Sequence, residues 1–127
     1  MTGIEQGRFA QANATEKSAE EKRTKILTLN DHFRRTGLGG KTYFTDGIES
    51  LGTQAIFEIR QEIAMFNAFS EDSDSYGEHD FGSINYAGYK VFWKIDYYGK
   101  TIDCGSSDPS IAANTTRVLT IMLAQEY

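Results

Sequence analysis

The spacing of apolar positions changes several times along this chain, and each spacing predicts an element. Ala19, Ile26, Leu29 and Phe33 recur at helical intervals, with Leu27 beside them, in a segment rich in Glu, Lys, Arg, Ala and Leu. Ser18 and Glu21 offer a capping box. Gly37 suits the left-handed residue past a helix end, and Arg34-Arg35 sit where the helix dipole favours positive charge. A helix over 16–36 follows, then a turn at Gly39-Gly40. Residues 1–15 are polar and small, with isolated Ile4 and Phe9, and read as a tail that docks on its own domain or on a partner.

Lys41–Thr45 is β-branched and aromatic, a short strand stopped by Asp46-Gly47. Thr53 caps a second helix reaching about Phe69, with Ile56, Ile59, Ile63 and Phe66 on its buried face and Met65 and Phe69 extending that face. The period then shortens. Phe81–Tyr86 and Tyr89–Tyr98 read as a hairpin about Ala87-Gly88, with Val91, Trp93, Ile95 and Tyr97 toward the core and Phe92, Lys94, Asp96 and Tyr98 on a partly wet face. Gly99-Lys100 turns the chain into a third short strand, Thr101–Cys104. A last helix is expected from Asp108-Pro109, or from Asn114 or Thr115, with Val118, Leu119, Met122 and Leu123 as its stripe and Arg117 able to lean either way.

Helices and strands do not alternate regularly, which predicts an α+β fold rather than a doubly wound one. The expected architecture is a small antiparallel sheet, a hairpin or meander plus one earlier strand, packed against two to three helices. A single domain over 16–127 would follow the tail over 1–15.

Composition narrows the class. Hydrophobic residues make up 39% and charged residues 24%, which suits a globular domain rather than a disordered chain. Cys104 is the single cysteine, so an intrachain disulfide and a four-cysteine zinc site are excluded. That usage suits a reducing cytoplasm. No apolar run suits a signal peptide or a membrane span, so a cytoplasmic protein with no membrane partner is expected. The net charge of −5 argues against direct nucleic-acid binding. Its distribution says more. Between Gln61 and Tyr89 there is no Lys or Arg, while Glu62, Glu71, Asp72, Asp74, Glu78 and Asp80 contribute a local charge that exceeds the net −5 and leave the remainder nearly neutral.

Three segments, YGEHDFG (76–82), FWKIDYY (92–98) and TRVLTIMLAQEY (116–127), with an opening helix segment LNDHFRRTG (29–37), resemble an uncharacterised bacterial domain family over roughly residues 24–127. The family resembled is met mostly in alphaproteobacteria, on plasmids and other mobile elements, and carries no established activity. That setting implies a role in host takeover or in countering defence systems, an association rather than a mechanism.

Four chemistries compete with blander readings. Asp72-Ser-Asp74-Ser-Tyr76-Gly77 begins like a calcium loop, but Tyr76 stands where an oxygen donor belongs and Ser83 where the bidentate Glu belongs. An EF-hand is excluded, and a solvated acidic turn is preferred to a looser cation site, so no metal is assigned. Glu78-His79-Asp80, if extended, puts both carboxylates on one side and His79 on the other, a candidate acid/base or hydrolytic site; the bland reading is a loop held by carboxylates accepting backbone N–H groups. Cys104 paired with His79 as a nucleophile lacks a motif. Gly37–Lys41 lacks the spacing of a phosphate loop.

The aromatic residues of the hairpin invite a base-stacking reading, which the missing basic clusters and the adjacent acidic loop oppose. The favoured expectation is a cofactor-free, non-enzymatic protein-binding module. Glu71, Asp72, Asp74, Tyr76, Glu78, Asp80, Phe92 and Tyr98 would form the contact surface, which could occupy the Lys/Arg groove of a nucleic-acid-handling defence complex. The alternative is a small enzyme or metal-dependent hydrolase using Glu78, His79 and Asp80.

Overall fold

The computed structural model describes the backbone of residues 3–99 and 105–127 and the side chains of residues 15–99 and 105–127. A long helix α1 (Gly3–Thr36) leads into strand β1 (Gly40–Phe44), a short helix α2 (Asp46–Glu49) and helix α3 (Thr53–Ala64). Strands β2 (Phe81–Tyr86), β3 (Tyr89–Tyr98) and β4 (Thr116–Leu123) follow, with single 3-10 turns before and after β4. The sheet order is β1-β4-β3-β2. β2, β3 and β4 pair antiparallel, while the earlier strand joins parallel to β4. The fold is α+β.

The hairpin forms where its alternation places it. Ala87 and Gly88 take φ of 49° and 85°, the left-handed pair of a two-residue turn whose twist matches the strands it joins. Val91, Trp93 and Ile95 are buried, and the Trp93 indole meets the edges of Phe66 and Phe69 at 5.5 and 6.1 Å between centroids. On the other face Phe92 lies half-buried against the rings of Phe81 and Tyr127.

β4 corrects the expected C-terminal helix. It is a central strand, paired on both edges, and buried along both faces from Arg117 to Leu119 and from Ile121 to Leu123. A strand covered on both sides loses the polar alternation that marks a strand, and its short apolar run then resembles a helix stripe. The β-branched residues Thr115, Thr116, Val118, Thr120 and Ile121 were the signal that favoured a strand.

Helix α1 corrects two further expectations. It begins at Gly3, so the segment read as a tail is helical from there and Ser18 lies inside the helix rather than at its cap. Residues 1–15 carry only isolated Ile4 and Phe9 and no apolar stripe, and a helix without such a stripe reads by its polarity as a tail. Its buried stripe is Ile26, Asn30, Phe33 and Arg34, without Ala19. Gly37 closes it as expected, with φ of 78° and its N–H on the Phe33 carbonyl at 2.7 Å. Helix α3 stops at Ala64 rather than near Phe69, leaving Met65 82% exposed while Phe66 and Phe69 fold back onto the core. β1 ends at Phe44, before Asp46-Gly47 as expected, and those two residues open α2. The expected strand Thr101–Cys104 lies outside the described residues.

Gly82 is buried with the Trp93 indole nitrogen where a Cβ would stand. Gly82→Ala is therefore expected to lower stability by about 1–3 kcal/mol through overpacking. Urea unfolding checks it; an unchanged midpoint would show that the indole has room to shift.

Candidate functional site

The acidic loop between α3 and β2 is built from its interior outward. The Asp74 N–H reaches the Ser70 carbonyl at 2.7 Å, and Gly77, at φ 68°, donates to the Asp74 carbonyl at 3.0 Å. The Asp74 side chain turns inward. Its carboxylate accepts the backbone N–H of Glu78 at 3.1 Å and that of His79 at 3.1 Å, and the residue is only 8% exposed. This is the bland reading of the tripeptide with the acid supplied from four residues upstream. Asp74 is thus an internal brace, which corrects its assignment to the contact surface.

His79 completes the brace. Its backbone takes φ of 56°, which breaks the extended alternation expected for Glu78-His79-Asp80. The imidazole stacks parallel on Phe69 at 3.8 Å, and Nδ1 lies 3.0 and 3.1 Å from the two carboxylate oxygens of Asp31. A carboxylate only accepts, so Nδ1 carries the proton of that bond. Nε2 lies 3.9 Å from Asp74.

Asp31 in turn takes Nη2 of Arg34 at 2.8 Å. Arg34 is fully buried; its Nη1 donates to the carbonyls of Ile63 and Ala64 at 2.8 and 3.1 Å, and its guanidinium lies over Phe69 and Trp93. Arg34 was read only as a positive charge favoured by the dipole at the end of its own helix. Instead it replaces solvent at the end of α3, whose last carbonyls lack helical partners.

Glu78 points elsewhere. Its Oε1 accepts the Tyr97 hydroxyl at 2.8 Å, and its backbone carbonyl accepts Asn30 Nδ2 at 2.9 Å. Asn30 Nδ2 also reaches Tyr97 Oη at 2.8 Å, while Asn30 Oδ1 accepts Arg117 Nε at 2.6 Å. Arg117 therefore leans inward, over the Tyr97 ring. Burial, and then the carboxylates of Glu78 and Asp80, push the Tyr97 hydroxyl pKa well up, against the Asn30 hydrogen bond, so Tyr97 stays a donor. The Asp80 carboxyl is pushed up to about 6, first by burial and then by Glu78, Asp74 and Asp96.

The predicted residues therefore fall into three groups. Glu71, Asp72 and Tyr76 are exposed on the loop, Tyr76 at 76%. Asp74, Glu78, His79 and Asp80 are half-buried or buried beneath it, with Glu78 and His79 held by different partners. Phe92 and Tyr98 belong to the other face of the sheet, where Lys94 and Asp96 pair at 3.0 Å. Among the described residues no group of three or more His, Cys, Asp or Glu side chains is placed to hold a metal. Cys104, and any pairing with His79, lies outside the described residues. Sequence reasoning missed Asn30, Asp31 and Arg34. Their signal was position: Asn30 and Arg34 share the helical stripe of Ile26 and Phe33, where a polar residue must find a partner.

Asp74→Ala removes the acceptor for two backbone N–H groups and should cost about 1–3 kcal/mol. Hydrogen exchange at the Glu78 and His79 amides should accelerate; unaltered protection there would show the brace is dispensable. A second expectation concerns pH. Because the Asp80 pKa is raised in the fold from an ordinary 3.8, its stabilising contribution is full below about pH 4 and lost as pH rises through about 6. Asp80→Asn should therefore be more stable than wild type at pH 8, by on the order of 1–2 kcal/mol, with the difference vanishing near pH 4. Unfolding midpoints at both pH values decide this, and a pH-independent difference would contradict it.

No curated protein and no solved structure matches the chain. The model of a family described as a protein of unknown function matches residues 44–126, a span that takes in α2, α3, the acidic loop, the hairpin and β4 and leaves out α1 and most of β1. By that match over most of its length, the chain belongs to the DUF3768 family.

Proposed function

We propose that this chain is a non-enzymatic protein-binding module and that loop 70–76 is its contact surface. The observation that carries this reading is that the loop is preorganised: Asp74 and His79 hold it from within, while Glu71, Asp72 and Tyr76 face solvent. Among the described residues neither Glu71 nor Asp72 makes an ion pair. A loop already held in shape loses little conformational entropy on binding, and unpaired acids beside an exposed tyrosine suit a basic partner. On this reading Glu78, engaged by Tyr97 and Asn30, and the half-buried Asp80 do not meet the partner, and Phe92 and Tyr98 fall outside this surface.

The partner on this reading is a protein with a Lys/Arg groove of the kind that holds nucleic acid. The mobile-element setting implied by the sequence resemblance extends the proposal to an anti-defence inhibitor acting in the cytoplasm. A second reading, a small hydrolase on Glu78, His79 and Asp80, is favoured by one feature: burial and neighbouring carboxylates push the Asp80 carboxyl up to about 6, where an acid can both give and take a proton near neutrality.

Immobilised wild-type protein should capture a basic protein from lysate of the native host. The triple variant Glu71→Gln, Asp72→Asn, Tyr76→Ala should bind it roughly tenfold more weakly or worse, with an unchanged melting temperature. Equal capture by both proteins would remove the loop as the contact surface.

A further inference from the structure

A second surface has the opposite charge. A groove of about 410 Å³ opens between the end of α1, the outer edge of β1 and helix α3, lined among others by Arg35, Thr42, Phe57, Arg60 and Gln61. Arg60 donates through Nη1 to the Arg34 backbone carbonyl at 2.7 Å. Among the described residues it makes no ion pair. Arg35 is exposed and has only a 4.0 Å approach to Asp31, a carboxylate already engaged by Arg34 and His79. The groove thus carries positive charge in excess within a chain of net charge −5. Burial and the neighbouring Arg34 both disfavour the charged form of Arg60, strain that an incoming anion would relieve.

The backbone adds a second feature. Among the described residues β1 is an edge strand bonded only to β4. The N–H of Thr45 reaches the Ile121 carbonyl at 3.1 Å, and strand alternation then directs the backbone groups of Lys41 and Tyr43 to β4 and those of Thr42 and Phe44 outward. An exposed edge of this kind is a template for another strand. Phe57, 58% exposed, stands at the groove as an apolar contact for alternate side chains of such a strand.

We propose that this groove binds an extended acidic peptide segment of a partner protein, which adds as a strand along the free edge of β1 and places carboxylates on Arg60 and Arg35. Backbone pairing supplies register and the two guanidinium groups select for acidic side chains. This surface is independent of the acidic loop, and its failure would leave the loop reading untouched.

Fluorescence anisotropy tests it with a labelled eight-residue peptide alternating Glu with Val, its Lys-for-Glu counterpart, and an N-methylated form of the acidic peptide that cannot pair as a strand. The acidic peptide should bind at least tenfold tighter than either control and weaken with salt. Arg60→Gln and, separately, the exposed Arg35→Glu should each lower its affinity about tenfold. Thr42→Pro, which removes an outward N–H and leaves the β4 ladder intact, should do the same. Equal binding of the acidic and basic peptides, or undiminished binding by the folded Arg35→Glu protein, overturns the proposal. Undiminished binding of the N-methylated peptide overturns the strand. Self-association of the wild-type chain abolished by Arg35→Glu overturns the assignment to a partner protein, making a second copy the occupant.

Discussion

The fold turns on one buried charge. Arg34 has given up water entirely, and the loss is offset by the last carbonyls of α3, the Asp31 carboxylate, and the faces of Phe69 and Trp93, with Nε left without a hydrogen-bond partner among the described residues. A pair of this kind contributes less to net stability than to uniqueness of arrangement, since few other packings satisfy a guanidinium. Through it α1 determines where α3 stops and which way the chain leaves it. Phe69 is then held beneath His79, and Asp31, oriented by Arg34, receives the His79 imidazole. The acidic loop, which holds no Lys or Arg, is thereby tied to the core by a charge of opposite sign.

This arrangement separates acids that are adjacent in sequence. Asp72 and Asp74 lie two residues apart, yet one faces solvent and the other accepts backbone N–H bonds in the interior. Glu78 joins Tyr97, Asn30 and Arg117 in a polar network that spans the sheet and helix layers. Asp80, desolvated by burial and set near the Glu78 and Asp74 carboxylates, takes up its proton more readily. Local acidity becomes three physical roles: outward charge, internal brace and perturbed acid. On the other side of Arg34 its hold on Asp31 leaves Arg35 without a full partner, and Arg60, which among the described residues makes no ion pair, donates to the Arg34 carbonyl, so one buried ion pair sits between an acidic loop and a basic groove.

How much of this was legible depended on how local each cause was. The β2–β3 hairpin, its turn and its buried face follow from alternation and from Ala87-Gly88, and the structure places them at the expected residues. The apolar face of α3 was legible through Ile59 and Ile63, though its end was not, because Arg34 of another element supplies the stop. β4 was misread because a central strand hides its period. The exposed loop residues were legible by composition, but the inward turn of Asp74 was not: nothing local distinguishes it from Asp72.

By itself, then, the sequence determined an α+β fold, a β-hairpin with a known core face, and an acidic segment following the second helix, since propensity, period and charge act over a few residues. Only the tertiary structure decided that Val118 to Leu123 form a central strand, that Asn30, Arg34 and Arg117 turn inward, and which acids remain on the surface. Each of those outcomes depends on a partner far away in the chain. Asn30 meets Glu78 across 48 residues and Arg117 across 87, and no window along the sequence contains both ends of such a bond.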